Sequence, residues 1–140
     1  MFKSLVFVAG ASLILGGCAS HSHSLAEGAA PGLLKGELVH LQPSRLVLES
    51  GERKYVAEGF EVQRHKNLAE LHKRYRMSEP KHWDRITSGL DKDHESYSAV
   101  ANPKAQDGSE LTCRLAWRAV QTPQGICQDK AGKEYVLKFD

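Results

Sequence analysis

A nine-residue stretch near the carboxyl end of the chain alternates between apolar and polar side chains. One face carries Leu111, Cys113, Leu115, Trp117 and Ala119, and the other carries Thr112, Arg114 and Arg118. Because successive side chains of a β-strand point to opposite faces, this period of two predicts a strand with one buried side. It is the clearest strand in the sequence, and it places Cys113 on the buried face.

Shorter strands are predicted on both sides of this one. Apolar alternation and the turn residues between the segments indicate strands over residues 38–41, 45–49, 54–63, 97–101, 126–128 and 135–139. Within the third segment, Tyr55 and Ala57 share one face, whereas Phe60 and Val62 are one step out of phase. An extra residue near Gly59 would restore the phase, so we expect a bulge there.

Two short helices are predicted between the strands. The first begins at Asn67, a capping residue with Glu70 three positions later. The second begins near Pro80, whose missing amide costs little in a first turn. The apolar stripes are Leu68, Leu71 and Tyr75 in the first helix and Trp83, Ile86 and Leu90 in the second. Strands around one helical insert predict a single α+β domain over residues 33–140, with a mostly antiparallel sheet or a partly open barrel.

The amino-terminal residues have the composition of a secretory signal. Lys3 gives a positively charged start, the run from Leu5 to Leu15 is apolar, and two glycines follow it directly. The apolar run is shorter than the roughly 20 residues that span a bilayer. We therefore predict that residues 1–17 are a signal peptide that is removed.

The four residues Leu15-Gly16-Gly17-Cys18 resemble the lipobox of bacterial lipoproteins. This resemblance implies diacylglycerol on the Cys18 thiol, cleavage before Cys18 and acylation of the new amino group. Two or three acyl chains bind a bilayer firmly, since each buried methylene contributes about 0.8 kcal/mol. Ala19 stands where Asp would favour the inner membrane, which implies anchoring in the outer membrane with the domain facing the periplasm.

The residues that follow the lipobox predict a flexible connection and a nearly neutral domain. Residues 18–32 are small, polar and rich in Gly and Pro, typical of a tether with a reach of about 20 Å. Removal of Lys3 with the leader leaves 18 of the 19 Lys and Arg side chains against 17 Asp and Glu. Such a balance gives no field that attracts nucleic acid. The expected partners are the membrane, reached through the acyl chains, and an envelope protein.

Cys113 and Cys127 are the remaining even pair, which predicts a disulfide in an oxidising compartment. Two buried free thiols are the alternative. A bridge across the 13 intervening residues would stabilise the fold by about 3 kcal/mol. A tight hairpin centred on Pro123 would place Cys127 opposite about residue 118, so the bridge requires a bulge, a wider loop or pairing of non-adjacent strands. This ending resembles the Cys–Cys β-hairpin of various small bacterial envelope proteins of uncharacterised function.

A group of basic residues around the first helix is a candidate binding surface. It consists of Arg64, Lys66, Lys73, Arg74 and Arg76. On a tethered domain these cations could contact anionic head groups or lipopolysaccharide, at up to about 1 kcal/mol per cation. The alternative is a solvated helix face, because Glu70 and Glu79 dilute the positive charge.

Seven histidines raise the question of a metal site. His21 and His23 lie in the predicted tether, and four others, His65, His72, His82 and His94, surround the helical insert. Zinc and copper require three or four converging ligands, and the sequence has no His-x-x-x-His or Cys-x-x-Cys spacing. We therefore expect no metal and no cofactor, and histidines that are exposed or hydrogen-bonded.

One loop resembles a known inhibitor motif. Ser50-Gly51 followed by Tyr55 is similar to the Ser-Gly-x-x-Tyr loop of small periplasmic lysozyme inhibitors, with one extra residue, Lys54, before the Tyr. In that family the loop Ser enters the lysozyme cleft, which implies this role for Ser50.

These observations favour one function over two others. No serine of the chain has the context of a nucleophile elbow, so we expect no enzyme. The leading hypothesis is a membrane-anchored envelope lipoprotein with a non-enzymatic interaction or structural domain. The alternative is a ligand-binding lipoprotein, either a lysozyme inhibitor or a metal binder.

Overall fold

A computed structural model describes residues 22–26, 28, 30–33 and 35–140 of the chain. The predicted signal peptide and Cys18 lie outside these residues. Within the described ranges, nine strands and two helices follow one another, with both helices between the fifth and sixth strands.

The first sheet contains four antiparallel strands. In chain order, and in the order in which they pair, they are β1 (Ser22–Ser24), β2 (Lys35–Val39), β3 (Arg45–Ser50) and β4 (Arg53–Glu58). The register pairs Leu38 with Leu46 and Leu48 with Tyr55, so these four side chains share one face. All four are buried, which confirms the alternation predicted for residues 45–49.

The second sheet contains five antiparallel strands, again paired in chain order. They are β5 (Val62–His65), β6 (Ser96–Ala101), β7 (Leu111–Arg118), β8 (Gln124–Asp129) and β9 (Glu134–Lys138). β7 occupies the centre, and Leu111, Cys113, Leu115 and Trp117 on its apolar face are all buried. The predicted strand is thereby confirmed from Leu111 to Arg118, whereas Ala119, which was expected on its buried face, lies beyond the end of β7 and is exposed.

Both predicted helices are present. Helix α1 (Leu68–Tyr75) is capped by the Asn67 side chain, which accepts from the Glu70 amide at 2.9 Å, and helix α2 (Pro80–Thr87) begins with its proline. Leu71, Trp83 and Ile86 pack on Ala116 and Ile126 of the second sheet. In the part of the chain that the structure describes, no helix has the length and apolar character needed to cross a membrane.

These elements form three layers. The apolar faces of the two sheets pack against each other in one core that joins Leu46 and Leu48 to Leu115 and Leu137. The helices cover the opposite face of the second sheet. The predicted α+β class and mostly antiparallel pairing are confirmed, whereas the described strands divide between two sheets and do not close into a barrel.

The single strand predicted over residues 54–63 is wrong. β4 ends at Glu58 in the first sheet and β5 begins at Val62 in the second, with Gly59 between them at a φ of 70°. The change of phase between Tyr55 and Phe60 therefore marks the passage of the chain from one sheet to the other and not a bulge. A chain that crosses between facing sheets has to reorient its apolar side, and glycine adopts the required positive φ without steric cost.

Part of the predicted tether is ordered, which corrects the expectation of flexible coil over residues 18–32. Ser22–Ser24 form β1 at the edge of the first sheet, with His23 opposite Leu38. Further along, Ala30 and Leu33 are buried in the core between the sheets. The small, polar composition of these residues predicted a flexible tether. The same residues can form an edge strand when their backbone N–H and C=O groups find hydrogen-bond partners on a neighbouring strand.

The disulfide between Cys113 and Cys127 is present, with a Cα–Cα distance of 4.0 Å. The two residues are directly opposite each other on β7 and β8. Pairing of β7 with β8 stops at Ala116 and Gln124, although Trp117 and Arg118 continue β7 against β6. Residues 119–123 then complete a wide connection, in place of a tight hairpin centred on Pro123. Of the bulge, the wider loop and the pairing of non-adjacent strands, the wider loop is therefore the arrangement that allows the disulfide.

Candidate functional site

A cleft of about 420 Å³ opens at one end of the interface between the two sheets. We call it the histidine cleft. It is lined by His23, His40, Leu41, Val62, Tyr97, Trp117, Ala119, Val120, Gln121 and Thr122. Leu41 and Val120 are exposed at its rim. The wide connection after β7 supplies four of the lining residues, so the loop that permits the disulfide also shapes the cleft.

The register of β1 and β2 brings the two histidines together. His23 is opposite Leu38, and His40 lies two residues after Leu38, directly beyond the end of β2. Residues two apart on a strand share a face, so both imidazoles project to the side of the first sheet that faces the second. His23 and His40 are therefore diagonal neighbours on adjacent strands, a separation that ring side chains can span.

Four rings form a continuous column across the cleft. Ring centroids are 5.8 Å apart for Tyr97 and Trp117, 5.3 Å for Trp117 and His40, and 5.2 Å for His40 and His23. The two imidazoles are nearly parallel, with an interplanar angle of 18°. Contacts at these separations are favourable for aromatic rings, so the column attaches the edge strand β1 to the second sheet.

Hydrogen bonding fixes the tautomer of His23. Its Nδ1 lies 2.9 Å from the main-chain oxygen of Asp140, and because that oxygen only accepts, Nδ1 carries the proton and donates. The Nε2 of neutral His23 therefore keeps its lone pair. That nitrogen lies 3.2 Å from Nε2 of His40. His23 Nε2 therefore accepts a hydrogen bond from the Nε2–H of His40, and the two ring nitrogens face each other across one proton.

The predicted basic surface is exposed but is not one continuous patch. Arg64, Lys73 and Arg74 line a shallow cleft beside His65, whereas Arg76 lines a separate cleft next to Trp83. Lys66 is exposed without lining either of them. The Arg64 guanidinium donates to Glu95 at 2.8 Å, so that cation is partly neutralised by its partner.

A serine and a histidine are hydrogen-bonded beneath α1. His65 Nε2 lies 2.7 Å from Ser98 Oγ, and the Tyr75 hydroxyl lies 2.8 Å from the same oxygen. Ser98 has 0% of its surface exposed, so its hydroxyl is not accessible to a substrate in this conformation. Burial lowers the pKa of His65, which favours its neutral form. The trio connects β5, β6 and α1 within the domain.

A second buried histidine joins α2 to the second sheet. Arg114 donates to His82 Nδ1 at 3.2 Å, which leaves the proton on Nε2 to donate to Glu134 at 2.8 Å. Arg85 also donates to Glu134, at 2.7 Å, and this bond, followed by that from His82, lowers the pKa of the Glu134 carboxyl. The network bridges one helix and two strands, and its members satisfy one another.

The histidines around the helical insert do not converge. His72 is hydrogen-bonded to Thr87 at 2.9 Å and His94 lies 3.0 Å from Asp91, while His65 and His82 belong to the networks above. Among the described residues there is no group of three or more His, Cys, Asp or Glu side chains placed to hold a metal ion. His21 lies outside the described residues.

The loop that resembles the lysozyme-inhibitor motif is the turn between β3 and β4. Ser50 is the last residue of β3 and is partly exposed, whereas the Tyr55 ring is buried in the core between the sheets. The two residues therefore have different environments, and of the two, Ser50 is the one with surface exposed at this turn.

The pairing of His23 with His40 was missed in the sequence analysis. His40 was not among the predicted candidates, and His23 was assigned to a flexible segment. No local pattern joins the two residues, because their proximity depends on the register between β1 and β2. The one available signal was the alternation of serine and histidine over residues 20–24, which fits a short strand.

Comparison with known proteins gave no match: no family model, no curated protein and no solved structure is similar to this chain.

Proposed function

We propose that this protein is a lipoprotein of the bacterial cell envelope, anchored in the outer membrane through acyl chains on Cys18. The observation that carries the proposal is the apolar run to Leu15 that ends in Gly16, Gly17 and Cys18. A leader of this length followed by a lipobox directs export and lipid attachment. Two or more acyl chains on one residue then anchor the protein stably.

The disulfide supports export. Structural disulfides persist in oxidising compartments such as the bacterial periplasm and are rare in the cytosol. Cys113 and Cys127 are both fully buried and bonded to each other, which leaves Cys18 as the cysteine available for lipid. The use of all three cysteines is therefore consistent with a secreted, acylated protein.

The domain itself acts, in this proposal, as a non-enzymatic interaction or structural module that faces the periplasm. Its two buried histidine networks support this role, because each satisfies its polar groups internally and bridges secondary-structure elements. The exposed cations of Lys73 and Arg74 on α1, next to the Arg64 guanidinium that Glu95 partly neutralises, offer a surface for anionic partners near the membrane.

The anchor is tested with Cys18→Ser. We expect the wild-type protein in the membrane pellet, with diacylglycerol and an amide-linked acyl chain on residue 18 by mass spectrometry of the mature protein. The Cys18→Ser protein should lack both modifications and should no longer be released from its leader. Ala19→Ser, a conservative change beside the lipobox, serves as the control and should be acylated normally. A mature wild-type protein without lipid on residue 18 would overturn the proposal.

The interaction role is tested by photo-crosslinking in intact cells. A photoreactive residue at position 66 or 73, on the basic surface, should give a discrete crosslinked envelope protein or lipid. The same residue placed at position 130, in the exposed turn between β8 and β9, should not give that product. Identical products at the two positions would remove the basic surface from the proposal.

A further inference from the structure

We propose that His23 and His40 form a binding site for a divalent transition-metal ion such as zinc or copper(II). This inference goes beyond the envelope role and does not depend on the anchor. A metal binder was only an alternative from the sequence, and this pair of histidines was not among its candidates, because the strand that carries His23 was not foreseen.

The separation of the two nitrogens suits joint coordination. In a tetrahedral site with metal–nitrogen bonds of about 2.0–2.1 Å, two imidazole nitrogens are about 3.3–3.4 Å apart. The Nε2 atoms of His23 and His40 are 3.2 Å apart. An ion could therefore bind both nitrogens in place of the proton between them, which would move to Nδ1 of His40 or to solvent, with adjustments of a few tenths of an ångström.

The surroundings of His23 are those of a metal ligand. Metal-bound histidines usually donate their other ring N–H to a carboxylate, a main-chain carbonyl or a water molecule, which fixes the tautomer and orients the ring. The bond from His23 Nδ1 to the main-chain oxygen of Asp140, at 2.9 Å, is such an interaction. The aromatic column through Trp117 restrains His40 in turn, at a centroid distance of 5.3 Å.

The site leaves room for further ligands. No third protein ligand converges with the pair among the described residues, so the ion would complete its coordination with water or with a donor that enters from outside. The histidine cleft of about 420 Å³ provides that space. Imidazole ligands suit zinc, copper and nickel and do not suit magnesium or calcium, so selectivity for the first group is expected.

Calorimetric titration tests the stoichiometry and the ligands. Purified full-length protein that has been treated with EDTA and freed of chelator should bind one zinc ion per chain and should not bind magnesium. His40→Ala and His23→Ala should each weaken zinc binding at least about tenfold, since loss of even an outer partner costs about 10–100-fold. His94→Ala, which removes an exposed histidine next to Asp91, should bind as the wild type does.

If a variant fails to fold, spectroscopy of the wild-type protein can still determine whether His23 and His40 bind the ion. Zinc should shift the Nε2 resonances of His23 and His40 in a ¹⁵N-histidine spectrum and leave that of His94 in place. Copper(II) should give an electron paramagnetic resonance spectrum with hyperfine coupling to two nitrogens. The absence of binding, or shifts confined to other histidines, would show that the two imidazoles are joined only by a hydrogen bond and would overturn the proposal.

Discussion

Cys113 and Cys127 are bonded directly across β7 and β8, with their Cα atoms 4.0 Å apart, at the centre of the core between the two sheets. Both are fully buried and belong to the same apolar cluster as Leu115 and Leu137. The bridge therefore lies where the two sheets pack, and it closes the loop that contains the connection after β7, residues 119–123, most of which lines the histidine cleft.

Removal of this bridge should lower the free energy of unfolding by about 3 kcal/mol, because the unfolded chain regains the entropy of a loop of about 15 residues. The change is Cys113→Ala together with Cys127→Ala, measured by urea denaturation. Reduction of the wild-type protein should move its urea midpoint in the same direction. Equal stability of the oxidised wild-type protein and the double variant would contradict the prediction.

Gly125 is placed where no side chain fits. An added Cβ would collide with the main-chain oxygen of Arg114 and with the Leu115 side chain. Gly125→Ala should therefore destabilise the domain by about 1–3 kcal/mol or more through overpacking. Gly89→Ala is the matched control, since nothing lies within 4 Å of its added Cβ. Equal effects of the two changes on the urea midpoint would refute this account.

The buried imidazole of His65 should make stability depend on pH. Burial lowers its pKa in the folded state below the ordinary value of about 6.5, so the unfolded chain binds more protons between the two pKa values. Stability should therefore decrease as the pH falls below about 6.5 and level off below the folded-state pKa. Urea midpoints at a series of pH values measure the slope, which His65→Gln should reduce; an unchanged slope in that variant would contradict the prediction.

The basic surface should bind anionic membranes when the anchor is absent. In a protein that begins at Ala19, and so lacks both the apolar leader and the acyl chains, Lys73→Glu with Arg74→Glu should weaken binding to vesicles that contain anionic lipid at least about tenfold, since each cation contributes about 1 kcal/mol near such a surface. The control is Lys130→Glu with Lys138→Glu, an equal change of charge at exposed positions elsewhere. Vesicle co-sedimentation gives the readout, and identical loss in both pairs would indicate a net-charge effect and not a binding surface.

Local patterns in the sequence predicted much of the fold. Alternation from Leu111 to Trp117 identified the central strand β7, and the cap at Asn67 and the proline at position 80 located both helices. Each of these signals acts within a few residues of the structure it specifies. The same alternation also predicted which face of β7 is turned toward the core between the sheets, because the buried face of a strand carries the apolar side chains.

The predictions that were wrong concern segments whose structure depends on pairing with strands distant in the sequence. The phase change near Gly59 was visible, but a bulge and a change of sheet leave the same local pattern, and only the pairing partners distinguish them. Residues 22–24 form a strand because they pair with β2, which lies more than ten residues away in the sequence. The two imidazoles of the histidine cleft meet through that same pairing, so no spacing within the sequence could have revealed them.

The position of β1 limits how far the domain can operate from the lipid. The strand begins at Ser22, four residues after the cysteine that we propose is acylated, and four residues of fully extended chain span at most about 14 Å. A mature protein of this design would rest against the head groups of its own leaflet. Its partners would then have to be molecules that approach the bilayer, because a structure deep in the periplasm would be beyond its reach.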